Sequence, residues 1–218
     1  MFKYIGFLYF ILQQFPAIGQ EAVSIVYEQE QFGSFRINHE LVPYKNKLRL
    51  LYNDSMAYHY YFLNNRDVLK KQKLFGVKFL HHSSYYKKQT GMIEYAVSKK
   101  VADDDYLVYD TANKIKWVMI ESPKVIKGYH CEAALHVNER NDSLLVYYAP
   151  ELAQPYGPAT YNGLPGVILE VFDQRFGLHI LAKKIEKGFF PIAYPEHFIS
   201  ISQQAFILKK VNIYDKRR

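Results

Sequence analysis

The sequence predicts a mainly β protein: a single curved antiparallel sheet or open half-barrel, with a C-terminal helix against one end. Three observations predict it. Twenty Tyr and 15 Phe raise the aromatic share to 17%, and such side chains favour pleated, half-buried surfaces. Apolar and polar residues alternate with period two through most of the chain. The alternating segments recur at short intervals with turn residues between them, and no helical crossover of the kind a parallel sheet requires separates them.

The elements follow in order. Val23–Tyr27 is a first strand, and in 47–52 Leu48, Leu50 and Tyr52 alternate with Lys47, Arg49 and Leu51. Strands at 56–62, 75–80, 92–97, 106–110 and 114–120 continue the series, and the last sets Ile115, Trp117 and Met119 against Lys114 and Lys116. Asn53-Asp54-Ser55, Asn64-Asn65, Thr90-Gly91 and Thr111-Ala112-Asn113 supply turns. A short helix is predicted over 66–74. A better one runs from Gln203 to Val211, with Ser202 as its cap, Phe206, Ile207 and Val211 on one face, and Lys209-Lys210 in its last turn.

A charged Met1-Phe2-Lys3 start, an apolar run from Tyr4 to Leu12 and small residues at Ala17 and Gly19 predict a signal peptide over residues 1–19. Residues 20–218 are then one domain, periplasmic or secreted. The apolar run is about half the ~20 residues of a spanning helix, and no later stretch reaches that length, so the mature chain is not expected to span a membrane. The single Cys131 excludes an internal disulfide framework and a thiolate zinc cage. The net charge of +7 is spread over short Lys clusters interleaved with acids, which predicts solvated surface and no nucleic-acid partner.

The segment after Trp117 changes character. It carries Gly128-Tyr129-His130-Cys131, then Tyr147-Tyr148, Gly157-Pro158, and finally Gly163-Leu164-Pro165-Gly166-Val167-Ile168. In these motifs and their order the chain resembles the GLPGLI family of exported Bacteroidetes proteins. Val167 stands where the family motif has Leu, and Tyr147-Tyr148 stands where the family commonly has Trp. The resemblance covers roughly half of the mature chain, implies a Gram-negative periplasmic address, and brings no established reaction or ligand with it.

Read as chemistry, Gly163–Gly166 contains no acid, base, nucleophile or metal ligand. Asn162-Gly163 permits positive φ and Pro165-Gly166 fits the centre of a type II turn, so the motif is expected to shape backbone. Alternation puts Cys131 with Tyr129, Ala133 and Leu135, away from His130, Glu132 and His136. A Cys–His nucleophile is therefore disfavoured and a buried thiol expected. His81-His82, His130/His136 and Asp103-Asp104-Asp105 lack metal-ligand spacing, so no metal, cofactor or catalytic residue is assigned. Tyr58, Tyr60, Tyr85, Tyr147 and Tyr148 are the candidate binding residues, lining a concave aromatic face. The leading expectation is a non-enzymatic envelope protein that binds an apolar ligand or another envelope protein on that face. The alternatives are a hydrolase with a spatially assembled site and a purely structural envelope protein.

Overall fold

Period-two alternation is realised as paired strands in a computed structural model, which describes residues 20–37, 40–62, 83–97, 99, 102–111, 115–192, 194–195 and 197–215. Two meanders form the sheet. The first is β1 (Gln20–Ile37), β2 (Glu40–Tyr52), β3 (Met56–Tyr61), β4 (Ser83–Lys87), β5 (Met92–Val97) and β6 (Tyr106–Thr111). The second is β7 (Val118–Ile126), β8 (Tyr129–Val137), β9 (Ser143–Ala149), β10 (Val167–Asp173) and β11 (Leu178–Phe190). They join where β1 pairs antiparallel with β11. A short β12 (Ile199–Ser202) then returns to lie parallel to β6. The result is one open, antiparallel-dominated sheet of twelve described strands, ordered β12-β6-β5-β4-β3-β2-β1-β11-β10-β9-β8-β7.

One face, here the inner one, carries the core. Ile25 and Tyr27 of β1, Leu48 and Leu50 of β2, Val146 and Tyr148 of β9 and Ile180 of β11 are all buried on it. Tyr27 reaches past β11 to donate its hydroxyl to the carbonyl of Ile168 in β10, at 2.8 Å. The segment 150–166 between β9 and β10 lies across this face, burying Leu152, Tyr156, Tyr161 and Leu164 in the same cluster as Tyr52 and Ala57. Each large apolar side chain so buried contributes about 1.5–3 kcal/mol. Gln154 ties the segment to the first meander, accepting from Lys88 Nζ (2.9 Å) and donating to Asp54 (2.8 Å).

The C-terminal helix is α1 (Gln203–Asp215). Ser202 Oγ caps it by accepting the N–H of Ala205 at 3.2 Å. Phe206 is buried against Tyr106, whereas Ile207, expected on the same face, is exposed: at 100° per residue its neighbour takes the contact. Lys209 bonds the Tyr106 hydroxyl and pairs with Asp103, so one acid of the 103–105 turn has a partner on the helix.

Several expected limits shift. β1 is far longer than 23–27 because Glu28 and Glu30 continue it on the outer face, paired with Lys47 and Lys45 of β2. The strand expected from Lys114 begins only at Val118. The Trp117 indole is drawn to the carbonyl of Asn162 (3.0 Å) and the Lys116 carbonyl lies 3.0 Å from His136 Nδ1, which holds 115–117 out of the ladder. The expected strand at 75–80, the helix at 66–74, His81-His82 and the signal peptide lie outside the described residues. Among the described residues, no helix is long and apolar enough to cross a membrane.

Candidate functional site

The Gly163–Ile168 motif fastens the covering segment to the sheet. Gly163 has φ +93, a conformation that L side chains avoid, and its N–H bonds Pro155 O at 3.0 Å. The carbonyl before it takes the Trp117 indole. Leu164 is buried in the core, and Val167 and Ile168 bond back along the segment to Leu152 O (3.1 Å) and Tyr156 O (2.9 Å). Gly166 corrects the expected type II turn: it is absent from the positive-φ residues, and its role is close approach, since a Cβ there would collide with the carbonyl of Ala149. Gly157 is confined likewise, its would-be Cβ lying 2.5 Å from Tyr161 O, beside buried Pro158. Gly128 (φ +84) follows Lys127 (φ 53) in the two-residue turn between β7 and half-buried Tyr129, the all-positive-φ hairpin that matches strand twist.

The five candidate tyrosines divide. Tyr58 and Tyr60 of β3 and Tyr85 of β4 share the outer face, opposite the core, because His59 and Ser84 between them point inward. Tyr58 stacks on Tyr85 (4.7 Å, 14°) and on Tyr60 (5.1 Å, 29°), and Phe62 continues the row beneath Arg49 (5.0 Å). At the other end Tyr194, from the link between β11 and β12, packs edge-on against Tyr85 at 5.3 Å. Its hydroxyl donates to Glu94 Oε2 (2.7 Å) and accepts from Lys87 Nζ (2.8 Å), while Lys87 also pairs with Glu94 (3.1 Å). Burial alone would lower the Lys87 pKa, but these bonds raise it above its ordinary value. Tyr148 is buried on the inner face, its hydroxyl on Glu132, and burial pushes its pKa up to about 12. Tyr147 points the other way, under Lys124 (4.9 Å). The expected concave groove is therefore occupied by the chain's own segment 150–166, and the aromatic row lies on the opposite face.

A second cluster was not foreseen. Glu170 has a side chain only 3% exposed, yet it sits on the outer face one residue past a bulge in β10. There it pairs with Lys124 and accepts from His179 Nε2 at 2.9 Å, and Phe172 stacks on the imidazole (4.3 Å, 6°). Both carboxylate oxygens are thus used, and the cluster is internally satisfied. The sequence signal was a lone Glu inside the apolar run 167–171. Cys131 is buried, its Sγ donates weakly to Tyr129 O (3.5 Å), and burial raises its pKa to about 11, which leaves almost no thiolate at neutral pH. His130 and Glu132 are exposed as alternation predicts. Among the described residues, no three His, Cys, Asp or Glu converge as a metal site would require.

No family model matches the chain, and no curated protein matches it. Solved structures do. PNGF-II in the P21 space group superposes with a TM-score of 0.63 at 12% identity, over 86% of this chain and 32% of that one. PNGF-II in the C2 space group gives 0.60 at 13% identity, over 88% and 32%. An uncharacterized conserved protein from Thermus thermophilus gives 0.43 at 6% identity, over 84% and 91%. This chain spans about a third of the length of the PNGF-II chains it matches, and at such identity the likeness is one of fold.

Proposed function

We propose that the protein is an exported, non-catalytic envelope protein of the GLPGLI type, and that it binds another envelope protein through the half-buried outer-face rings of Phe62, Tyr60 and Tyr58, which are backed by buried Tyr85. One observation carries this reading: Tyr58 and Tyr60 of β3, Phe62 just past its end and Tyr85 of β4 are in continuous ring contact, Arg49 and Tyr194 closing the ends. Rigid aromatic rows of this kind supply contact area at small entropic cost.

The hydrolase reading has less support. Cys131 is protonated and turned from His130. Among the described residues the one Ser–His contact, His59 Nδ1 to Ser84 Oγ at 3.2 Å, has no carboxylate behind the imidazole to orient it.

The test is native mass spectrometry of the protein purified from its own envelope, beside a Tyr58→Ser, Tyr60→Ser variant whose fold is checked by circular dichroism. A protein retained by the wild type and lost from the folded variant is the expected result. Equal retention by both, or no retained protein, overturns the reading.

A further inference from the structure

Arg49 is a cation without an anion. It lies in β2 directly opposite Tyr60 of β3, so it shares the outer face with the aromatic row. It is half-buried, and its guanidinium carbon stands 5.0 Å from the centre of the Phe62 ring. Among the described residues it makes no hydrogen bond and no ion pair. The lysines of the same face are matched: Lys45 pairs with Glu30 at 2.7 Å, and Glu28 is shared by Lys47 (3.7 Å) and Lys183 (3.4 Å). Glu28, two pairs along the β1–β2 ladder from Arg49, is thus already engaged.

The placement of the guanidinium defines what it can meet. Nε is enclosed and faces into the protein, whereas Nη1 and Nη2 are not enclosed and form the open end. Drawing such a charge part-way out of water without a counter-ion is unfavourable. A planar carboxylate arriving at the two Nη groups would accept two charge-assisted hydrogen bonds while the ring of Phe62 stays against the guanidinium. Tyr and Arg are also the side chains in which binding energy concentrates at protein interfaces, and here Tyr58, Tyr60 and Arg49 are neighbours.

We infer that Arg49 reads the charge of the docking partner, its Nη groups donating to the side-chain carboxylate of an Asp or Glu that apolar neighbours flank. Those neighbours pack on Tyr60 and Phe62. The inference rests on the outer-face reading above and adds the partner's chemistry to it: an acidic residue set in an apolar patch. A neutral or basic patch would bury the guanidinium further and leave it unpaired, which opposes docking.

The experiment titrates the protein at pH 7.5 with two tripeptides, Leu-Glu-Leu and Leu-Gln-Leu, each N-acetylated and C-amidated so that the Glu side chain is the sole carboxylate. Binding is followed by NMR shifts of the protein. The Glu peptide is expected to bind saturably and at least about fivefold more tightly than the Gln peptide. Arg49→Gln is expected to abolish that preference; if it fails to fold, Arg49→Met, which keeps an apolar stem on Phe62, takes its place. No saturable binding of the Glu peptide, equal binding of both, or a preference that survives in the folded variant would each overturn the assignment. Arg49→Gln also joins the mass-spectrometric comparison above, where it is expected to lose the retained protein. Retention by Arg49→Gln but not by Tyr58→Ser, Tyr60→Ser would remove the acidic contact and leave the aromatic docking standing, whereas retention by both would remove the two together.

Discussion

At Gly166 a single hydrogen atom separates a close main-chain contact from a collision, because the Cβ of any other residue would run into Ala149 O and crowd Pro150. Gly166→Ala is therefore expected to lower stability by roughly 1–3 kcal/mol, the usual cost of overpacking, read as a drop in the urea midpoint. Gly91 offers a control, since nothing lies within 4 Å of its would-be Cβ and only its positive φ opposes the change. His59 sets a pH dependence. Unfolded, the imidazole takes a proton near pH 6.5; folded, burial delays that to about pH 4. Between those values the unfolded chain binds more protons, so stability is full above about pH 6.5 and falls as the pH drops toward 4, by about 3 kcal/mol at the low end. His59→Gln should flatten that limb of the stability profile, and an unchanged slope would show that His59 titrates normally.

Among the elements, local signals were legible and pairing was not. β5 has the limits its alternation predicted, Met92–Val97, because apolar residues and the Thr90-Gly91 turn coincide there. α1 starts where Ser202 promised. The hairpin between β7 and β8 was missed although its turn is local: a positive φ at Lys127 is not written in a lysine. Asn tolerates that conformation better, so Lys127→Asn is expected to stabilise the protein by about 0.5 kcal/mol, measured by thermal unfolding. The candidate site was half legible. That Tyr58 and Tyr60 share a face, and that Tyr147 and Tyr148 cannot, follows from period two alone. Which face is inner depends on where segment 150–166 comes to rest. The partners Tyr194–Glu94 and His59–Ser84 are joined only through register and a crossover, which no local pattern encodes.

For the molecule as a whole, Cys131 is a probe of cooperative opening. Buried and held protonated, it should resist iodoacetamide at pH 8 in the folded protein and be labelled at the rate of unfolding. Labelling as fast as that of a small thiol would mean that β8 opens separately from the rest of the sheet.

The seam between β1 and β11 has a consequence in time. Gln20 lies opposite Phe190, so the earliest described strand must wait for almost the last before its second edge is satisfied. Each meander can assemble from neighbouring hairpins, but their union is a long-range event, and refolding is expected in the millisecond-to-second range typical of such topologies. Until the late strand arrives, the middle of the future sheet is an unguarded rim, open to capture by any passing extended chain. Dilution or a holding chaperone should raise the yield of native protein during that interval more than at any later stage.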